Sequence, residues 1–127
     1  MKDQQSTNQP RLLVVDDEVE LRTLLAMKFS KSGYDVDVAS SGEEAKEFIN
    51  NESYSAVLCD LNLPTSLKGQ DVFQLVIRKN SESKFIAITG YAQDSPEVSA
   101  AKAAGIQHIF SKPLRMSAIL SLLGAST

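Results

Sequence analysis

Asp16 and Asp17 follow the apolar run Leu12–Val15, Asp60 follows Ala56–Cys59, Thr89 closes the run from Phe85, and Lys112 comes just after Ile109-Phe110. Polar residues at the ends of buried strands converge at the carboxyl edge of an open parallel sheet, where such folds bind ligands. An aspartate has an unperturbed pKa of about 3.9, so three of them within a few ångströms repel or raise one another's pKa. A divalent cation removes that conflict. Oxygen ligands select a hard ion, and Mg2+ is held by one or two carboxylates, waters and a phosphate rather than by a closed protein cage. Lys112 adds a point positive charge and Thr89 a hydroxyl, both suited to phosphoryl oxygens. Asp60, at the end of the central strand, is the candidate nucleophile for an acyl phosphate. Transfer to it asks for positioning and charge neutralisation, with no separate base.

The elements that must position these residues read as five βα units around a parallel sheet, an α/β pattern. The predicted strands are Arg11–Val15, Tyr34–Ala39, Ala56–Cys59, Lys84–Thr89 and Gln107–Ser111, the second alternating like an edge strand with Asp35 and Asp37 on a solvated face. Leu21, Leu24, Leu25, Met27 and Phe29 predict a first helix closed by Gly33 at C′. Ser40 and Ser41 each precede a glutamate by three, Glu43 and Glu44, so a second helix has two capping-box registers open to it. Val72 to Ile77 predict a third. Ser95-Pro96-Glu97 opens a fourth, which ends at Gly105 and offers only Val98 and alanines for packing. Leu114–Leu123 predicts a short closing helix. Met1–Gln9 is polar and ends at Pro10, which predicts a disordered lead-in of residues 1–9 before a domain of residues 10–124 and a tail of 125–127.

Composition excludes several classes. The chain has 127 residues, enough for one domain with a core of its own. A net charge of −3 with mixed signs provides no basic face for nucleic acid. No apolar run approaches the roughly 18 residues of a membrane span, and no signal-peptide h-region is present, so a cytoplasmic protein is expected. The lone Cys59 fits a reducing compartment and reads as a core residue.

Val14-Val15-Asp16-Asp17-Glu18, Asp60 with Pro64, Thr89-Gly90 and Lys112-Pro113 together resemble the receiver domain of bacterial two-component response regulators over residues 11–123. The resemblance implies a flavodoxin-like, doubly wound sheet of five parallel strands in the order 2-1-3-4-5, with helices on both faces. It implies that Asp60 takes a phosphoryl group from a histidine kinase or histidine phosphotransfer protein, that Asp16, Asp17, Asp60 and the backbone carbonyl of Asn62 hold Mg2+, and that Lys112 and Thr89 contact the phosphate. Such a domain is a signalling switch rather than an enzyme. Its output would reside in a downstream partner protein or domain, with strands 4 and 5 in the readout surface. Oligomeric state stays open, dimerisation on phosphorylation included.

Two positions depart from the family. The aromatic usually found three residues before the lysine is Ile109, with Phe110 one position later, and Pro64 stands five residues before Gly69 rather than four, which predicts a lengthened loop. Asn62 and Tyr91 occupy the places that tune phosphate lifetime in the family. Glu18 has two readings, a metal contact through water or a first-turn acid against the helix dipole. His108 lacks a second histidine and reads as structural. An aspartyl-nucleophile hydrolase would place D-x-D-x-T after the first strand, and a flavin carrier a Ser/Thr/Gly-rich loop; Asp16-Asp17-Glu18-Val19-Glu20 matches neither. The remaining alternative is a phosphorylation-independent interaction module of the same fold.

Overall fold

Five strands, β1 (Arg11–Val15), β2 (Asp35–Ala39), β3 (Ala56–Asp60), β4 (Lys84–Thr89) and β5 (His108–Ser111), alternate with five helices in the computed structural model, which describes residues 9–124. The helices are α1 (Val19–Lys31), α2 (Gly42–Asn51), α3 (Gly69–Lys79), α4 (Pro96–Ala103) and α5 (Met116–Leu123). Residues 1–8 of the expected lead-in and the expected tail 125–127 lie outside the described residues.

The strands pair in parallel in the order β2-β1-β3-β4-β5. Alternation along each strand divides the core in two. Leu13, Val15, Val57, Cys59, Phe85 and Ala87 meet α2, α3 and α4 on one face, and Leu12, Val14, Leu58, Ile86 and Ile88 meet α1 and α5 on the other. Both faces of β1, β3 and β4 are therefore covered, which is why these strands are continuous apolar runs. The chain passes from β1 outward to β2 and returns to β3 on the opposite side. That reversal opens a crevice at the carboxyl ends of β1 and β3, where Asp16, Asp17 and Asp60 stand.

Local signals stop the helices as expected. Gly33 (φ +99°) and Gly105 (φ +108°) sit at C′ of α1 and α4. In each case the next residue's N–H reaches back five positions, Tyr34 to Phe29 and Ile106 to Ala101, as a Schellman ending requires. Ser41 caps α2 by accepting from the Glu44 N–H at 3.1 Å, and Ser95 caps α4 by accepting from Val98 N–H at 3.2 Å. The capping register is thus Ser41 with Glu44, whose carboxylate turns back to the Ser40 N–H at 2.6 Å. α4 buries only Val98 and Ala101, in keeping with its small apolar content.

Two expectations need correction. Asp35 and Asp37 do not form a solvated face: Arg11 pairs with both, at 3.2 and 3.1 Å, and the Tyr54 hydroxyl donates to Asp37 Oδ2 at 2.7 Å. Val38 is the exposed side chain of β2 instead. In α1 the core is met by Leu25 and Phe29, while Leu24 and Met27 face outward.

Candidate functional site

Asp16, the first residue after β1, is fully buried, and all but one of its oxygens are engaged by hydrogen bonds. Its main-chain oxygen accepts from Arg22 Nη1 at 2.8 Å and its Oδ1 from the Glu18 N–H at 2.8 Å, which ties the β1–α1 turn to the first turns of α1. Its Oδ2 is buried with no hydrogen bond, 3.4 Å from Lys112 Nζ. Burial pushes the Asp16 carboxyl above the ordinary aspartate range, the charge of Asp60 adds to this, and the Glu18 N–H and Lys112 oppose it. A buried carboxylate oxygen without a donor is costly unless something positive completes it.

Asp60 ends β3 and is 5% exposed. Lys112 Nζ donates to its Oδ2 at 3.0 Å and the Asn62 N–H to its Oδ1 at 2.9 Å, so both oxygens are held in one orientation. Lys112 also lies 3.5 Å from Glu18 Oε1. Burial acts to lower the ammonium's pKa, and the hydrogen bond to Asp60 with the charges of Asp60, Asp16 and Glu18 outweighs it, leaving Lys112 more firmly protonated than usual. The Lys112 N–H donates to the Thr89 carbonyl at 2.8 Å, which docks the end of β5 onto β4, and the Lys112–Pro113 peptide is cis.

Ligand oxygens of Asp16, Asp17 and Asp60 lie within 4.8 Å of one another. Their geometry, the orphaned Asp16 Oδ2 and the all-oxygen donor set fit a small hard cation such as Mg2+. A cleft of about 400 Å³ opens over them, lined by Asp17, Glu18, Asp60, Asn62, Gly90, Tyr91 and Lys112.

Thr89 ends β4 beside Lys112, with its hydroxyl engaged locally. It is buried, does not line the cleft, and its hydroxyl accepts from the Tyr91 N–H at 2.9 Å. Ile109 packs with the α2–α4 core and Phe110 with the α1–α5 core, so the aromatic of β5 lies on the face away from α4. Cys59 is fully buried, its thiol pushed well up by burial and then by Asp60 and Asp16, which leaves it inert core. Glu18 is the N-cap residue of α1 without a side-chain cap bond, and Lys112 is its partner.

Residues 61–68 connect Asp60 to α3 with no room to spare. A Cβ at Gly69 would stand 2.6 Å from Leu61 Cα and 2.7 Å from the Asp60 carbonyl oxygen, so only glycine lets α3 approach the strand end. Sequence reasoning missed Arg22, whose role needs the β1–α1 turn to be closed. It also missed Glu43, whose carboxylate accepts from the Thr65 hydroxyl and, at 3.2 Å, from the Leu67 N–H. The signal for Glu43 was present: once Ser41 and Glu44 form the cap, Glu43 has no local task.

An open parallel α/β sheet with three acidic residues and a lysine at its switch point is a doubly wound fold whose ligand crevice carries the charge pattern of a cation site. The family model for the response regulator receiver domain matches residues 12–123. The chain belongs to that family and is a receiver domain of two-component signalling. It is 31% identical over 124 residues, 96% of its length, to the CAI-1 autoinducer sensor kinase/phosphatase CqsS of Vibrio cholerae, of which it spans only 18%. In three dimensions it is similar to a CheY-like receiver domain protein from Methanospirillum hungatei (TM-score 0.83, 27% identity, 92% of each chain covered). It also shares its fold with the receiver domain of the sensor histidine kinase PA1611 from Pseudomonas aeruginosa, solved with magnesium coordinated in the active-site cleft (TM-score 0.79, 21% identity, 91% and 94% covered). The sheet order and both helical layers agree with the flavodoxin-like expectation. No helix among the described residues is long and apolar enough to cross a membrane.

Proposed function

We propose that Asp60 accepts a phosphoryl group from a histidine kinase or histidine phosphotransfer protein in a Mg2+-dependent reaction, and that the added charge switches a partner-binding surface. The observation that carries this reading is the fixed Asp60 carboxylate, held at 3.0 Å by Lys112 and at 2.9 Å by the Asn62 N–H beside two further carboxylates. Asp16, Asp17, Asp60 and the Asn62 carbonyl would hold the metal, which supplies neutralisation of phosphoryl oxygens. An Asp60 oxygen forms the new P–O bond as the donor histidine's P–N bond breaks and its imidazole leaves. Lys112 keeps its proton and follows the developing negative charge as a point cation.

Phosphorylation adds close to two negative charges and new acceptor oxygens. The Thr89 hydroxyl, which now accepts from Tyr91, has a proton to donate to a phosphoryl oxygen. The Gly90–Tyr91 segment and the lightly packed α4 are the parts free to respond. Output passes to a downstream protein or domain, in the cytoplasm, from a receiver unit of residues 10–124, and the domain catalyses only its own phosphorylation and slow hydrolysis.

Incubation with acetyl phosphate, with and without Mg2+, followed by intact-mass spectrometry tests the reading. A Mg2+-dependent gain of one phosphoryl group, absent in Asp60→Asn, is the expected result. Equal labelling of that variant removes Asp60 as acceptor, and no labelling of the wild type favours a phosphorylation-independent module.

A further inference from the structure

The segment between β3 and α3 decides where Asn62 sits, and through it the orientation of Asp60. Its inner half is anchored by the core: Leu61 N–H donates to the Ile88 carbonyl at 2.9 Å, and Leu63 is fully buried. Its outer half, Pro64–Ser66, is exposed and has neither helix nor strand. Something outside the segment must hold it. Lys68 reaches back within it to the Leu63 carbonyl at 2.6 Å, and α2 supplies the external contact.

That contact has two parts. Gly42 presses its bare Cα onto Leu67, where a Cβ would collide with main chain. Glu43 uses one carboxylate oxygen on the Thr65 hydroxyl and the other on the Leu67 N–H, residues 22 and 24 positions away in sequence. Capping of α2 is already served by Ser41 and Glu44, so neither oxygen is needed locally. The Thr65 hydroxyl, followed by main-chain donors of the segment, holds the Glu43 carboxyl below its ordinary range, and the clamp is ionised at neutral pH.

We infer that Glu43 and Thr65 are positioning residues for the phosphoacceptor site, clamping the segment so that the Asn62 N–H stays on Asp60 Oδ1 and its carbonyl stays at the metal position. The inference deepens the proposed function and rests on it for the metal, while its effect on the Asn62 N–H is independent of any metal. Neither residue touches a reacting atom. Both act through the 61–68 segment.

Thr65→Val deletes the hydroxyl without changing charge, Thr65→Ser restores it, and Glu43→Gln leaves one acceptor for two donors. Amide hydrogen exchange of Asn62, measured without metal, is expected to quicken about fivefold in Thr65→Val and Glu43→Gln, the equivalent of one solvent-exposed hydrogen bond. The Mg2+ dissociation constant is expected to rise about tenfold, as when groups that orient metal ligands are lost. With acetyl phosphate, the Mg2+ concentration for half-maximal rate rises while the rate at saturating Mg2+ stays near wild type, and Thr65→Ser returns both readouts toward wild type. Unchanged Asn62 exchange in both clamp variants overturns the inference. So does weaker Mg2+ binding in Glu43→Gln with none in Thr65→Val, since charge alone would then explain it. A wild-type protein that binds no Mg2+ overturns the metal reading, and the exchange experiment still decides the clamp.

Discussion

Replacing Asp16 by asparagine should stabilise the metal-free protein and at the same time remove most of its response to Mg2+. The sign is set by competing terms. At an effective dielectric of about 20, unit charges at the 4.8 Å limit separating Asp16 and Asp60 ligand oxygens repel by about 3.5 kcal/mol. The exposed Asp17, closer to bulk dielectric, adds about 1 kcal/mol. Against this, the attraction between Asp16 Oδ2 and Lys112 Nζ at 3.4 Å is worth about 5 kcal/mol on the same scale. Relief of repulsion and loss of attraction therefore cancel to within about 1 kcal/mol. Desolvation of the orphaned oxygen decides the outcome: an unsatisfied buried polar group costs about 1–3 kcal/mol and a charged one more, so the amide sits there at lower cost than the carboxylate. Urea unfolding in chelator should show Asp16→Asn more stable by about 1–2 kcal/mol. At Mg2+ about 100 times its dissociation constant the wild type gains about 2.7 kcal/mol, and the variant much less, so the order reverses. The pH dependence follows from the raised Asp16 pKa. Between the ordinary value and the raised one the folded state binds more protons than the unfolded, so this group's contribution improves as pH falls. The advantage of Asp16→Asn should accordingly shrink on acidification through the raised value toward about pH 4. A variant less stable than wild type in chelator, or one with the full Mg2+ response, refutes the reasoning.

Three further outcomes are expected. Gly69→Ala forces a Cβ to within 2.6–2.7 Å of main chain at Leu61 and Asp60, and should lower stability by about 1–3 kcal/mol despite alanine's better helix propensity; a stabilised variant in urea contradicts the close approach. Lys112→Met leaves Asp16 and Asp60 without their shared cation, so thermal unfolding should show a loss of about 1–3 kcal/mol in chelator, most of it restored by Mg2+. Tyr54→Phe removes a 2.7 Å hydrogen bond to a carboxylate and should cost about 1–2 kcal/mol. Burial and then the bond to Asp37 raise the Tyr54 pKa, so its contribution is intact below about pH 10 and is lost as pH climbs above it; alkaline titration of stability should be flatter in the Phe variant.

What the sequence determined by itself is local. Five apolar runs, the serines before α2 and α4, and the glycines after α1 and α4 act over five residues or fewer, so their outcome does not depend on the rest of the chain. The meeting of Asp16, Asp17, Asp60 and Lys112 was legible for a related reason: a parallel sheet with its strands buried on both faces sends all strand ends to one edge. Strand boundaries moved by a residue, with Asp60 inside β3 and Tyr34 and Gln107 outside β2 and β5. Tertiary structure alone decided the long-range polar contacts. Arg11 with Asp35 and Asp37, Lys79 Nζ on the Ile49 carbonyl at 2.7 Å, and Glu43 on Thr65 and Leu67 join residues from 22 to 30 positions apart. Hydrophobic periodicity says which face of an element is buried and is silent on which polar side chains meet at its rim. That choice depends on how helices and loops lie across the sheet, as α2 does beside the segment that carries Asn62.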